Sequence, residues 1–129
     1  MIRIQLDAAV PLTEQLVTEL RGAIARGELS PGDPLPSVRQ LAGDLGINLN
    51  TVSRAYRLLE ETGLVSTRRG RGTHVTAARE ATPQLDTAGL RARVRALLAD
   101  ARLAALPREQ VADLLHDELD SLWSPEVSS

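Results

Sequence analysis

The 129 residues include no cysteine, no lysine and no phenylalanine, and Tyr56 and Trp123 are the only aromatic residues. Without cysteine the chain has no disulfide framework, thiol nucleophile or Cys-ligated zinc site, and it suits a reducing compartment. Two aromatics cannot form a stacking platform for single-stranded nucleic acid. Long apolar runs are missing as well. The opening Met1-Ile-Arg-Ile-Gln-Leu-Asp7 alternates instead of leading into a secretory apolar segment, and no stretch approaches a membrane span, so the expected location is the cytoplasm. Phosphate-loop glycines, a Gly-x-Ser-x-Gly elbow and paired metal-ligand histidines are also absent; no catalysis and no cofactor are expected.

What is present is aliphatic. The chain holds 22 Leu and 17 Ala, and Leu, Ile and Val together number 35, or 27% of the residues. That is enough apolar surface to offset backbone ordering entropy, and the composition suggests helices packed on helices. The length suits one domain with a helical appendage. A net charge of −2 conceals an uneven distribution: residues 1–77 carry nine Arg against eight acids, and residues 78–129 carry six Arg against nine. All fifteen cations are Arg, whose planar fork suits phosphate oxygens and guanine edges. Genomic base composition accounts for the lack of Lys equally well.

Ile2, Ile4 and Leu6 alternate with polar residues, as in a short edge strand or an extended arm. Leu12, Leu16, Leu20, Ala23 and Ile24 fall at helical spacing between Pro11, suited to a first turn, and Gly27, suited to a left-handed stop. Residues 30–36 form a Pro- and Gly-rich connector. Ser37-Val-Arg-Gln40 has the form of a capping box and predicts a second helix from Val38, with Leu41, Ala42 and Leu45 inward and Gly46 ending it. Asn48 caps a third helix running to about Thr62, with Val52, Ala55, Tyr56 and Leu59 on one side and Gly63 closing it. Helix, glycine turn and helix make a helix-turn-helix. Two β-prone runs around Arg69-Gly70-Arg71-Gly72 then predict a hairpin with a basic tip.

The expected fold is therefore mainly α with a small β-hairpin wing: a winged helix-turn-helix domain over 1–76. A linker over 77–86 leads to a two-helix tail over 87–124, and 125–129 are expected to be disordered. Leu90, Val94, Leu97, Leu98 and Ala101 mark the first tail helix. Val111, Leu114, Leu115, Leu119 and Leu122 mark the second, begun by Pro107, with Trp123 at the end of its stripe. So small a hairpin has more apolar face than it can bury alone, and self-association of two copies is the economical arrangement.

Asn50, Thr51, Ser53, Arg54 and Arg57 lie away from the apolar stripe of the third helix. A helix N-terminus attracts phosphate, Asn fits adenine N6/N7 and Arg fits guanine O6/N7, so this face is a candidate major-groove reader. A solvated helix face carries the same residue types. Arg68, Arg69 and Arg71, with Gly70 and Gly72 permitting close approach, suit a minor groove, although a basic turn also protects an edge strand. Arg39 would sit near a phosphate in the same pose. His74, in the returning wing strand, is a candidate phosphate contact, although an ordinary exposed residue fits the position better. Asp113, His116, Asp117 and Asp120 share one helical face; that pattern also describes the wet side of an amphipathic helix, only one imidazole is present, and no metal is expected.

Leu35-Pro-Ser-Val-Arg-Gln-Leu-Ala42, Asn48-Leu-Asn-Thr-Val-Ser-Arg-Ala-Tyr56, Leu59-Glu-Glu-Thr-Gly-Leu64 and Arg68-Arg-Gly-Arg-Gly-Thr-His-Val75 resemble, in order, the DNA-binding domain of the GntR family of bacterial transcription regulators. Gly27-Glu-Leu-Ser-Pro-Gly-Asp33 fits too. The run from Asn48 to Tyr56, with about fifty residues after the wing, resembles the YtrA-like subfamily. That resemblance implies a two-helix dimerisation tail in place of a large effector domain, and repressor action. It also implies DNA contact at Arg39, Asn50, Thr51, Arg54, Arg71, Gly72 and Thr73. Leu49 and His74 depart from the family pattern, which often has Arg or Pro at the first position and an aromatic at the second. If Leu49 reaches the groove, only a thymine methyl suits it.

The function expected is that of a homodimeric, sequence-specific DNA-binding regulator on a palindromic operator, with double-stranded DNA as partner. A small-molecule effector is a further candidate partner. The alternative is a winged-helix module docking an acidic protein; a small metal-dependent enzyme is a distant third.

Overall fold

In the computed structural model the described residues are 4–6, 9–76 and 86–123. They belong to two compact units, Met1–Pro83 and Gln84–Ser129. The first contains three helices, α1 (Leu12–Ala25), α2 (Val38–Leu45) and α3 (Leu49–Glu61), then strands β1 (Val65–Arg68) and β2 (Gly72–Val75). The second contains α4 (Thr87–Leu103) and α5 (Arg108–Leu122). The fold is thus mainly helical with one two-stranded antiparallel sheet.

Local chemistry sets the helix limits. Pro11 is the N-cap of α1 instead of its first helical residue, with extended backbone at ψ 145°. At the other end Gly27 is left-handed at φ +82°, and the Glu28 N–H donates to the Ala23 carbonyl at 2.9 Å, closing a Schellman turn. Ser37 caps α2, its hydroxyl accepting from the Gln40 N–H at 3.0 Å. Only this half of the predicted capping box forms; the exposed Gln40 side chain makes no bond back to Ser37. Gly46, at φ +69°, stops α2 after eight residues, and Asn48 starts α3 by accepting from the Asn50 N–H at 2.7 Å.

Helices α1 and α2 both pack on α3. The core joins Leu16, Leu20 and Ile24 of α1, Leu41 and Ala42 of α2, and Val52, Ala55, Tyr56 and Leu59 of α3, with Leu35, Leu64, Val65 and Val75 closing it. Leu16, Val52 and Leu59 are wholly buried, each contributing about 1.5–3 kcal/mol from burial of its side chain. This aliphatic centre supports a short α2 that would not be helical alone.

The hairpin pairs Val65 with Val75 and Arg68 with Gly72. The connector before α2 adds a third edge: Pro34 bridges His74, the Leu35 N–H donates to the Thr73 carbonyl at 2.8 Å, and the Val75 N–H donates to the Asp33 carbonyl at 2.9 Å. Pro34 cannot donate, so the added pairing stays short. At the N-terminal end, residues 4–6 form no strand. Instead the Gln15 side chain takes up the arm's backbone groups, accepting from the Gln5 N–H at 2.6 Å and donating to the Gln5 and Val10 carbonyls at 2.9 and 2.8 Å. Ile2 lies outside the described residues.

In the second unit Asp86, in extended backbone, caps α4 by accepting from the Gly89 N–H at 2.8 Å, and the helix starts at Thr87. Residues 77–85 and 124–129, where the expected linker and C-terminus fall, lie outside the described residues. The turn between α4 and α5 contains Ala105 at φ +65°, the one described non-glycine residue with positive φ. No residue of α4 or α5 is buried.

Candidate nucleic-acid interface

The candidate surface begins with the helix that the core holds most firmly. With Val52, Ala55, Tyr56 and Leu59 turned inward, α3 presents Asn50, Arg54, Arg57 and Glu61 at i, i+4, i+7 and i+11, one outward stripe of exposed residues. Thr51 and Ser53 border it half-buried, and Leu49 stands exposed in the first turn. Asn48 is exposed, but its side-chain oxygen is engaged as the cap. The stripe changes sign along its length. It is neutral at Asn50, basic at Arg54 and Arg57 and acidic at Glu61, with Glu60 alongside, so its N-terminal three turns suit a polyanion and its last turn repels one. The two glutamates were not singled out as site residues from the sequence, although their spacing from Arg54 and Arg57 is a readable signal.

Tyr56 ties this helix to the chain entering α2. Its hydroxyl donates to the Pro36 carbonyl at 2.7 Å, and burial pushes its pKa up to about 12. The bond fixes the α2 entrance, where Arg39 is exposed in the first turn, relative to the outward stripe of α3.

The wing places Arg68 at the end of β1 and Arg69, Gly70 and Arg71 in the turn, all exposed. The Arg71 N–H closes the turn on the Arg68 carbonyl at 2.9 Å. Gly70 is left-handed at φ +83° with open space where a Cβ would stand, so backbone conformation and not crowding selects glycine there. Gly72 is exposed and His74 half-buried.

Thr73 differs from the other candidates. The residue is 9% exposed and its hydroxyl pairs with that of Thr67 at 2.9 Å, so its side chain is buried within the hairpin. Strand alternation explains the burial: Thr73 shares a face with Val75, a core residue, while Gly72 and His74 take the other.

The electrostatics are those of an open site. Arg39, Arg54, Arg57, Arg68, Arg69 and Arg71 make no salt bridge among the described residues. Arg26, by contrast, binds Glu28 at 2.9 Å and holds that carboxyl below the usual carboxylate range. In the tail, Leu90, Val94, Leu97, Leu98, Leu114 and Leu119 are exposed, as is Trp123 at 73%, while Val111, Leu115 and Leu122 are half-covered. No group of His, Asp and Glu among the described residues is arranged to hold a metal, the Asp113–His116–Asp117–Asp120 face included.

The family model for bacterial regulatory proteins of the gntR family matches residues 12–75. Across its whole length the chain is similar to the HTH-type transcriptional repressor YtrA of Bacillus subtilis (strain 168), at 34% identity over 130 residues, covering 100% of this chain and 93% of that protein. The chain belongs to the gntR family of bacterial regulatory proteins. Within it, the chain is a YtrA-like regulator and not an enzyme. Solved structures agree. YtrA from Sulfolobus acidocaldarius, a GntR-family transcription factor, is 35% identical with a TM-score of 0.61, covering 76% of this chain and 97% of that one. A chain from Listeria monocytogenes EGD-e, described as a transcriptional antiterminator, is 26% identical with a TM-score of 0.78, covering 100% of this chain and 97% of its own. The winged-helix fold is therefore that of the family. No helix among the described residues is long and apolar enough to cross a membrane.

Proposed function

We propose that this gntR-family regulator is a cytoplasmic homodimeric repressor that binds a palindromic operator in double-stranded DNA. One α3 enters the major groove of each half-site, with centres about 34–36 Å or a multiple of that apart. Asn50, Thr51, Ser53 and Arg54 face base edges, with Asn50 suited to adenine and Arg54 to guanine. Arg39 and Arg57, with the α3 N-terminus at Asn48, hold phosphates. Arg68, Arg69 and Arg71 of the wing follow the adjacent minor groove, with Gly70, Gly72 and His74 beside the backbone. The tail from 87 to 124 dimerises through Leu90, Val94, Leu97, Leu98, Val111, Leu114, Leu115, Leu119, Leu122 and Trp123.

The observation that carries this reading is the set of six exposed arginines on α2, α3 and the wing, none with an acidic partner among the described residues, in the same unit as the polar outward face of α3. Unneutralised guanidinium groups in that setting are complementary to a phosphate backbone. Fluorescence anisotropy on duplexes tiled across the gene's own upstream region, at about physiological salt with excess random competitor, tests it. Tight binding to one tile is expected. Equally weak binding to every tile contradicts sequence-specific recognition there.

A further inference from the structure

Leu49 is the first residue of α3 and 42% exposed, although the domain has an aliphatic core beside it to accept leucine side chains. It falls between the cap residue Asn48 and the outward Asn50, and one turn before Ser53, so it stands at the edge of the polar stripe and not behind it. An exposed leucine in this place is inconsistent with a purely phosphate-holding role, since it offers neither charge nor a hydrogen bond. Among the groups on the floor of a B-DNA major groove, the thymine C5-methyl is the one apolar projection. The remaining first-turn residues, Asn50 and Thr51, are polar and suit the donor and acceptor edges of neighbouring bases.

We infer that Leu49 is a specificity-determining residue that reads a thymine by contact with its methyl group, one thymine in each half-site. The inference rests on the proposed operator reading and adds a base identity to it. The contact has no hydrogen-bond component, so the discrimination is between thymine and any base lacking the methyl, uracil included. Covering about one methyl group corresponds to a fourfold preference per half-site, or about 0.8 kcal/mol at 1.4 kcal/mol per tenfold.

Deoxyuridine scanning tests this directly. The probe is the duplex that the full-length chain itself selects from a random pool, remade with each thymine replaced singly by deoxyuridine, which removes the methyl and nothing else. Wild-type protein is expected to lose about fourfold in affinity at one thymine of each half-site and about fifteenfold when both are replaced. Leu49→Ala is expected to bind the thymine and uracil duplexes equally well. Leu49→Met, which keeps an apolar tip, is expected to retain the discrimination. As Leu49 is exposed, the variants should melt with the wild type, which circular dichroism checks. Insensitivity of the wild type to every uracil, or persistence of the same uracil penalty in Leu49→Ala, overturns the assignment while leaving the operator reading intact. A pool from which no sequence emerges overturns both.

Discussion

The Tyr56 hydroxyl donates to the Pro36 carbonyl at 2.7 Å, joining the middle of α3 to the last residue before the α2 cap. Twenty residues apart in sequence, the two groups hold the helix-turn-helix at one angle without adding polar surface to the core. Tyr56→Phe leaves the ring in place and the carbonyl without its donor. The variant is expected to lose about 1 kcal/mol. For a domain of this size that lowers Tm by about 4–8 °C, measurable by calorimetry.

The same tyrosine makes stability sensitive to alkali. Its pKa is raised from 10.0 to about 12 by burial, so the folded state favours the neutral phenol more than the unfolded chain does. Its contribution is full below pH 10 and declines as pH rises from 10 to about 12, because the unfolded chain ionises first. Thermal melts across that window are expected to show a steeper fall in Tm for the wild type than for Tyr56→Phe; parallel curves would contradict the assignment.

Arg54 and Arg39 are predicted to fail differently. Arg54→Ala is expected to weaken operator binding by about 1–3 kcal/mol and relax preference at one base position. Arg39→Ala is expected to weaken operator and random duplexes alike, since phosphate carries no sequence. Competition anisotropy on both duplexes checks the division, and equal losses on both for both variants would contradict it.

The wing arginines should appear in the salt dependence. Each phosphate neutralised contributes about 0.9 to the slope of log affinity against log salt. Replacing Arg68, Arg69 and Arg71 together by Ala is expected to flatten that slope by about 2–3, with the basic contacts of α2 and α3 accounting for what is left. An unchanged slope would place the wing away from DNA.

For the tail, Ala105 at φ +65° occupies a left-handed position that glycine takes without steric penalty. Ala105→Gly is expected to stabilise the α4–α5 hairpin by up to about 1 kcal/mol. Leu97→Asp, on a leucine exposed in the single chain, is expected to shift the protein to monomer in sedimentation velocity and weaken operator binding, while the winged-helix unit keeps its melting transition.

Much of this fold is written in local signals. Ser37, Gly46, Asn48 and Gly63 cap or stop helices through their own backbone and side-chain chemistry, which sequence spacing exposes. Features depending on distant partners are not legible in that way. Alternation at Ile4 and Leu6 indicates a pleat but not a neighbouring strand, and a Gln15 amide supplies the bonds instead. Proline at 34 argues against a strand, yet the connector still lies along β2 because Leu35 must reach the core. In the site, the outward stripe of α3 follows from helical period alone. The burial of Thr73 was hidden because motif resemblance marks a position and not the direction of its side chain; Val75 two residues on is the clue to its face.

The most direct test of the account is a stoichiometric titration of full-length protein into the selected palindromic duplex, at concentrations well above Kd, with random-sequence duplex as comparison. The account predicts a break at two chains per duplex and a preference over random sequence of about a thousandfold or more. A break at one chain per duplex, or equal affinity for both sequences, would contradict it.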